Sequence, residues 1–205
     1  MDTKSLENLN SLQIDVLREI GNIGAGNAAT ALASLLSDRI SMSVPLLNII
    51  DINEVATSLG GPENPVVGIL MEMSEDIKGF IMLIFEKRFL HVVIKSLLNK
   101  DLIGLENLSE MDLSVFKEVG NILAGSYTNA LAQLTGLRIK ISPPDICADM
   151  AGAIMSVPAA MFGMLGDKAL IMQEDFIGGE QITSHLVMVP EIDSLNLMFK
   201  KLGVE

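Results

Sequence analysis

The sequence predicts an α+β fold: an α-β-α-β-β-α unit, present twice about a pseudo-twofold axis, around one shared mixed or antiparallel sheet. Three observations carry that expectation. Glu19-Ile-Gly-Asn22-Ile-Gly-Ala25-Gly26 returns 99 residues later as Glu118-Val-Gly-Asn121-Ile-Leu-Ala124-Gly125. Each copy sits in a long stretch of helical apolar spacing followed by an alternating, strand-like segment. Each half then carries two further apolar runs joined by a short turn, the mark of antiparallel pairing. The echo extends from Ala31-Leu32-Ala33 and Ala130-Leu131-Ala132 through Arg39-Ile40 and Arg138-Ile139 to Ser43, Pro45 and Ser142, Pro144. A repeated scaffold preserves hydrophobic pattern more readily than polar identity, so the recurring Glu and Asn point to a repeated site.

Leu6 to about Ser37 reads as the first long helix, with apolar residues at Leu9, Leu12, Val16, Ile20, Ile23, Ala28 and Leu32. Its counterpart runs from Ser109 to about Thr135. Ser109-x-x-Asp112 has the form of a capping box at its start, and Gly136 supplies the terminating glycine. Alternating segments at 39–47 and 138–146 follow as strands. A short connecting helix is expected over 51–59, ending at Gly60-Gly61-Pro62. Val66–Met73 and Phe80–Glu86 then form a strand pair around Ser74-Glu75-Asp76, and His91–Leu98 a helix. The second half repeats this order: a small-residue segment over Asp149–Phe162, strands at Ala169–Asp175 and Ile182–Val189, and a last helix over Glu191–Leu202. Asn99–Asn107 is a short polar bridge with no low-complexity linker, so residues 1–205 are read as a single domain of two halves, about 1–100 and 101–205.

Composition narrows the function classes. Of 205 residues, 49% are hydrophobic, enough for a sizeable core, yet runs such as Phe80–Phe85 are far too short to span a bilayer. The polar first residues lack the layout of a signal peptide, and a single cysteine, Cys147, fits a reducing compartment; a cytoplasmic protein without membrane insertion is expected. A net charge of −12 with 14 thinly spread basic residues argues against nucleic-acid partners, as does the lack of Trp and the single Tyr. His91 and His185 have no ligand spacing, so no metal site is expected. Cys147 reads as a small core residue.

On the long helices, Asp15, Glu19, Asn22 and Gly26 fall within about 60° of arc, as do Ser114, Glu118, Asn121 and Gly125. Glu and Asn three residues apart stand side by side and can address one small target. Gly21, Gly24 and Gly26 each cost about 1 kcal/mol of helix propensity, which points to close approach of another backbone. Gly24-x-Gly26-x-x-Ala29 has the form of a dinucleotide-binding turn, but no strand precedes it and Leu123 replaces the first glycine in the second copy. Ser114 stands where the first copy has Asp15, which rules out an obligatory serine nucleophile.

The pattern Asp/Ser-x3-Glu-x2-Asn-x22-Pro, present as Asp15, Glu19, Asn22, Pro45 and again as Ser114, Glu118, Asn121, Pro144, resembles the signature of the CheC/CheX/FliY family of chemotaxis phosphatases. Two motifs in about 200 residues fit its CheC-type members. The resemblance implies hydrolysis of the aspartyl phosphate of the response regulator CheY, with the receptor deamidase CheD as a second partner. An acyl phosphate is already activated, and the regulator would bring its own Mg²⁺ and Lys, so the phosphatase need only place a water in line and requires no cofactor of its own. Asn22 and Asn121 would orient that water, since a carboxamide both donates and accepts. Glu19 and Glu118 would pair with the regulator's Lys. Pro45 and Pro144 would shape the strand end beside the helix. The CheD contact is expected at Ala148-Asp149-Met150-Ala151, with Asp149 where a susceptible amide would stand. A monomer is expected. The alternative is a non-catalytic adaptor that binds a receiver domain or CheD without turnover.

Overall fold

The computed structural model describes residues 6–37, 41–162, 168–177 and 181–204. Their fold is α+β: six helices pack on an antiparallel sheet. The helices are α1 (Ser11–Leu36), α2 (Val55–Ser58), α3 (Lys87–Leu98), α4 (Glu110–Thr135), α5 (Ala151–Phe162) and α6 (Ile192–Leu202). The strands are β1 (Ser41–Met42), β2 (Leu46–Asp51), β3 (Pro65–Glu75), β4 (Gly79–Glu86), β5 (Ile139–Ile141), β6 (Asp145–Met150), β7 (Lys168–Ile177) and β8 (Gln181–Pro190).

The order across the sheet is β1-β7-β8-β4-β3-β5, with β2 also on β7 and β6 also on β3. β1 and β2 are two segments of one edge, and β5 and β6 of the other. Each edge therefore pairs with a strand of the opposite half of the chain. At the centre, β4 lies antiparallel to β8 with Leu83 opposite Leu186.

The alternating segments differ from expectation in a regular way. Each breaks at its proline. Met42 faces Phe176 and Leu46 faces Gln173, so four steps along the edge oppose three on β7. Ile141 faces Met73 and Asp145 faces Leu70, the same slip of one residue. Proline has no N–H to give the ladder, and an extra residue at that point makes a bulge that bends the edge. Residues 39–40 of the expected first strand lie outside the described residues. The connecting helix is also shorter than expected, because β2 runs on to Asp51 and a 3₁₀ turn at Ile52–Glu54 leads into α2.

The two long helices are each 26 residues. The expected capping box is present on α4: Ser109 N donates to Asp112 Oδ2 at 2.9 Å and Asp112 N to Ser109 Oγ at 3.3 Å. α1 has one too, from Asn10 and Gln13, which the sequence reading did not identify. Both N-termini are also tethered at long range: Gln13 Nε2 donates to the Val204 carbonyl at 3.3 Å, and Lys100 Nζ lies 2.7 Å from Asp112 Oδ1. Gly136 ends α4 with φ +68°, as expected of a left-handed cap.

Helices α1, α3, α4 and α6 cover one face of the sheet, over Val67, Ile69, Met71, Leu83, Phe85, Met172 and Phe176. Phe85 stacks on Phe89 with ring centroids 4.4 Å apart. Helices α2 and α5 cover the other face, over Val66, Met82, Ile84, Ile171 and Val187. The result is a helix–sheet–helix sandwich with α1 and α4 packed together on the thicker side.

Candidate functional site

The buried face of α1 runs through Gln13, Leu17, Ile20, Gly21, Gly24 and Ala28, and that of α4 through Asp112, Phe116, Val119, Gly120, Leu123 and Tyr127. These choices of face turn the polar wedges outward. Asp15, Glu19, Asn22 and Gly26 are exposed on α1; on α4, Ser114, Glu118 and Asn121 are exposed and Gly125 half-buried.

Among the described residues, the side chains of Glu19, Asn22, Glu118 and Asn121 take part in no hydrogen bond or ion pair. Two carboxylates and two carboxamides are thus presented to solvent on rigid helices, free to meet a partner. The first position of each motif is occupied differently. Asp15 Oδ1 accepts from Arg18 Nη1 at 3.2 Å, an exposed pair worth little energetically. Ser114 Oγ donates to the Glu110 carbonyl at 2.9 Å.

The glycines fall into two groups. A Cβ on Gly21 would meet Met172 Sδ at 2.6 Å, one on Gly120 would meet Ile69 Cδ1 at 2.7 Å, and one on Gly24 would overlap the Tyr127 ring. These positions admit side chains from the sheet and the facing helix, where the sequence had pointed to a backbone. Gly26 and Gly125 are different: an added Cβ would meet nothing within 4 Å. Nothing among the described residues accounts for a bare backbone at the C-terminal end of each wedge.

Pro45 is buried and Pro144 half-buried at the edge bulges. The segment 148–151 spans the end of β6 and the first residue of α5, so Asp149 stands on the strand rather than on a helix. Asp149 and Met150 are exposed, while Ala151 is fully buried. The Met150 N–H donates to Asp149 Oδ1 at 2.7 Å. Asp149 lines a cleft of about 250 Å³ with Asp145, Cys147, Leu70, Met82 and Val157. Cys147 is exposed there and is no core residue, because it projects from the half-open edge strand.

Leu12 corrects the helical reading as well. The spacing assigns it to the apolar face, but it is 56% exposed, since it stands a full 100° from Gln13 and the core side. Its counterpart 99 residues on, Met111, is 61% exposed. The echo itself held the signal: two large apolar residues recur seven positions before the paired Glu residues.

His185 is buried, and burial pulls its imidazole below the usual range, with Asp175 opposing, so it is a neutral core group. Among the described residues no group of three or more His, Cys, Asp or Glu side chains could hold a metal ion, and no helix is long and apolar enough to cross a membrane.

The chain matches the model of the CheC-like family twice, over residues 12–49 and 111–147. Each match takes in one polar wedge and the bulged edge strand after it. The chain is 36% identical over 199 residues to the CheY-P phosphatase CheC of Bacillus subtilis (strain 168), covering 93% of this chain and 94% of that one. It is 28% identical over 142 residues to the flagellar motor switch phosphatase FliY of the same organism, covering 69% of this chain and 37% of that one. Among solved structures it resembles Thermotoga maritima FliY with a TM-score of 0.75 at 23% identity, covering 96% of this chain and 98% of that one, a likeness of fold.

Proposed function

Because the chain belongs to the CheC-like family, we propose that it is a protein phosphatase that hydrolyses the aspartyl phosphate of a CheY-type response regulator at two sites, one on α1 and one on α4. The observation that carries this reading is the pair of exposed Glu and Asn side chains, unpartnered among the described residues and repeated on both helices.

The chemistry follows from those groups. Asn22 or Asn121 receives a water on its carboxamide and aligns it with the phosphorus, its Oδ1 accepting a hydrogen bond from one water O–H. Glu19 or Glu118 accepts hydrogen bonds from the regulator's Lys and sets the register of the two proteins. Mg²⁺ is expected on the regulator, where it offsets charge on the phosphoryl oxygens. A general base contributes little, since attack on a loose, metaphosphate-like centre demands little prior deprotonation of water. A helix places the carboxamide more rigidly than a loop would, and catalysis by positioning depends on that rigidity.

Phosphate release from a regulator charged with acetyl phosphate tests the proposal. Asn22→Ala and Asn121→Ala together should lower turnover about 10²-fold or more, the usual loss for a positioned polar group, with the fold intact by circular dichroism. Each single variant should retain roughly half the activity if the sites are equivalent, because the intact helix still works. A folded double variant with wild-type turnover would sink the mechanism. A wild-type chain that binds the charged regulator without releasing phosphate would make it the adaptor instead.

A CheD-type deamidase is proposed to dock at Asp149 and Met150, whose exposure at the β6–α5 junction supports a contact there. An acid at Asp149 would mimic the deamidated product and occupy the deamidase's own active-site cleft without being consumed. Asp149→Lys should abolish binding of the deamidase in calorimetry and leave phosphate release unchanged. Normal binding by that variant would move the contact elsewhere.

A further inference from the structure

We propose that Leu12 and Met111 are apolar anchors that seat the phosphorylated regulator on each catalytic wedge; this inference rests on the function proposed above. Large apolar side chains more than half exposed are normally scattered without pattern. Leu12 and Met111 are patterned: they are 56% and 61% exposed and occupy the same place on two helices. Their helix phase is the decisive point. With 100° per residue, Leu12, Asp15, Glu19, Asn22 and Gly26 fall within about 80° of arc, and Met111 extends the second wedge in the same way. At 1.5 Å per residue, the anchor stands about 10 Å from the Glu and the open glycine about 10 Å beyond the Glu on the other side.

Neither side chain belongs to a hydrophobic core cluster among the described residues. The residues that lead each chain into its helix are Leu9 and Leu108, both packed partly against the main core. The first turn is held by Gln13 and Asp112, both buried. Leu12 and Met111 point away from all of these. Whatever covers them must also cover the Glu and Asn on the same strip, so their occupant is the substrate rather than a second copy of this chain, which would block the site. An apolar contact at one end, an ionic contact in the middle and a side-chain-free backbone at the other end together fix a docking angle. The carboxylate supplies the ionic register, and the anchor supplies residence time.

The decisive variant carries Leu12→Ser and Met111→Ser together, since one intact wedge would hide the loss of the other. Titration with a CheY-type regulator loaded with beryllofluoride and Mg²⁺ should show affinity about 10-fold weaker, as expected for losing half a buried Leu at each site. In turnover, KM should rise by a similar factor while kcat at saturation stays unchanged. Leu12→Met with Met111→Leu should restore wild-type affinity. Leu134→Ser, 41% exposed on α4 but about 140° from the Met111 phase, should change nothing. Unchanged affinity in the double Ser variant overturns the anchor, as does a fall in kcat at constant KM. A dimer that sediments as a monomer once Leu12 and Met111 are replaced would also overturn it, by assigning the patch to self-association. If the wild-type chain binds the loaded regulator but releases no phosphate, the phosphatase reading fails, and the affinity series still decides the anchor. If it does not bind, both are wrong.

Discussion

Two residues along β3 from Ile69, which fills the room over Gly120, stands Met71, paired across to Ile81. Two residues along β7 from Met172, which fills the room over Gly21, stands Glu174, paired across to Ser184. These are equivalent places beneath the two long helices, and they hold opposite chemistry. Met71 and Ile81 are fully buried and apolar. Glu174 is equally buried, accepts only a long 3.3 Å hydrogen bond from Ser184 Oγ, and has its other oxygen unpartnered among the described residues. The helix interface is unequal as well: Gly24 on α1 makes room for Tyr127 on α4.

Outside, the two halves agree. Glu and Asn recur at matching, solvent-facing positions where stability would tolerate almost any polar residue. Packing demands therefore differ between the halves, while the exposed Glu and Asn are common to both, as the function proposed for the wedges requires.

The largest expected effect that would sharpen this comparison is on pH dependence. Burial, only partly relieved by the Ser184 hydrogen bond, pushes the Glu174 carboxyl up to about 8 from an ordinary value of 4.5. Between those values the folded state keeps a proton that the unfolded chain has released. The contribution is therefore intact below about pH 4.5 and is lost as pH rises towards 8. Unfolding in denaturant should show the Glu174 contribution to stability falling by up to about 4–5 kcal/mol across that window. Glu174→Met, which copies Met71, should flatten the curve. Buried His185, with its imidazole lowered, works in the opposite direction over the same window, so the difference between wild type and Glu174→Met isolates Glu174; a difference that does not change from pH 5 to pH 8 would show that Glu174 is not held protonated.

The next effect separates the two kinds of glycine on one helix. Gly24→Ala drives a methyl group into the Tyr127 ring and should cost about 1–3 kcal/mol. Gly26→Ala meets nothing and should stabilise the chain by roughly 1 kcal/mol through helix propensity alone. Thermal melts of the two variants should therefore move in opposite directions. A shift of the same sign in both would mean that the room at Gly24 is not filled by Tyr127.

The smallest effect concerns Tyr127 itself. Its ring is fully buried, and its hydroxyl has no hydrogen-bond partner among the described residues. Removing an unsatisfied group should be neutral or stabilising by up to about 1 kcal/mol, so Tyr127→Phe should melt no lower than wild type. A clear loss of stability would reveal a partner for that hydroxyl.

Much of the site was legible because it is local. Glu19, Asn22 and Gly26 share a helix face by spacing alone, and the second copy reproduces them. The same spacing misled at Leu12, because periodicity says which residues share a face but not which face meets the core. Cys147 was misplaced for a related reason: a strand at the sheet edge is half open, and its edge position depends on partners elsewhere in the chain. Glu174 gave no local signal, since an acid in an alternating strand reads as a solvent-facing residue.

What the sequence determined by itself was the set of structures closed within a few residues. These are the capping box at Ser109 and Asp112, the glycine stop at Gly136, the helical periodicity of α1 and α4, and the hairpins that pair β3 with β4 and β7 with β8. What only the tertiary structure decided was the exchange of edges, with Met42 against Phe176 and Ile141 against Met73, and the outward turn of both polar wedges. Caps and turns are set by backbone groups within one turn of chain. Pairing between strands more than a hundred residues apart is set by which apolar surfaces can be buried together, a property of the assembled sheet and helices rather than of any single segment.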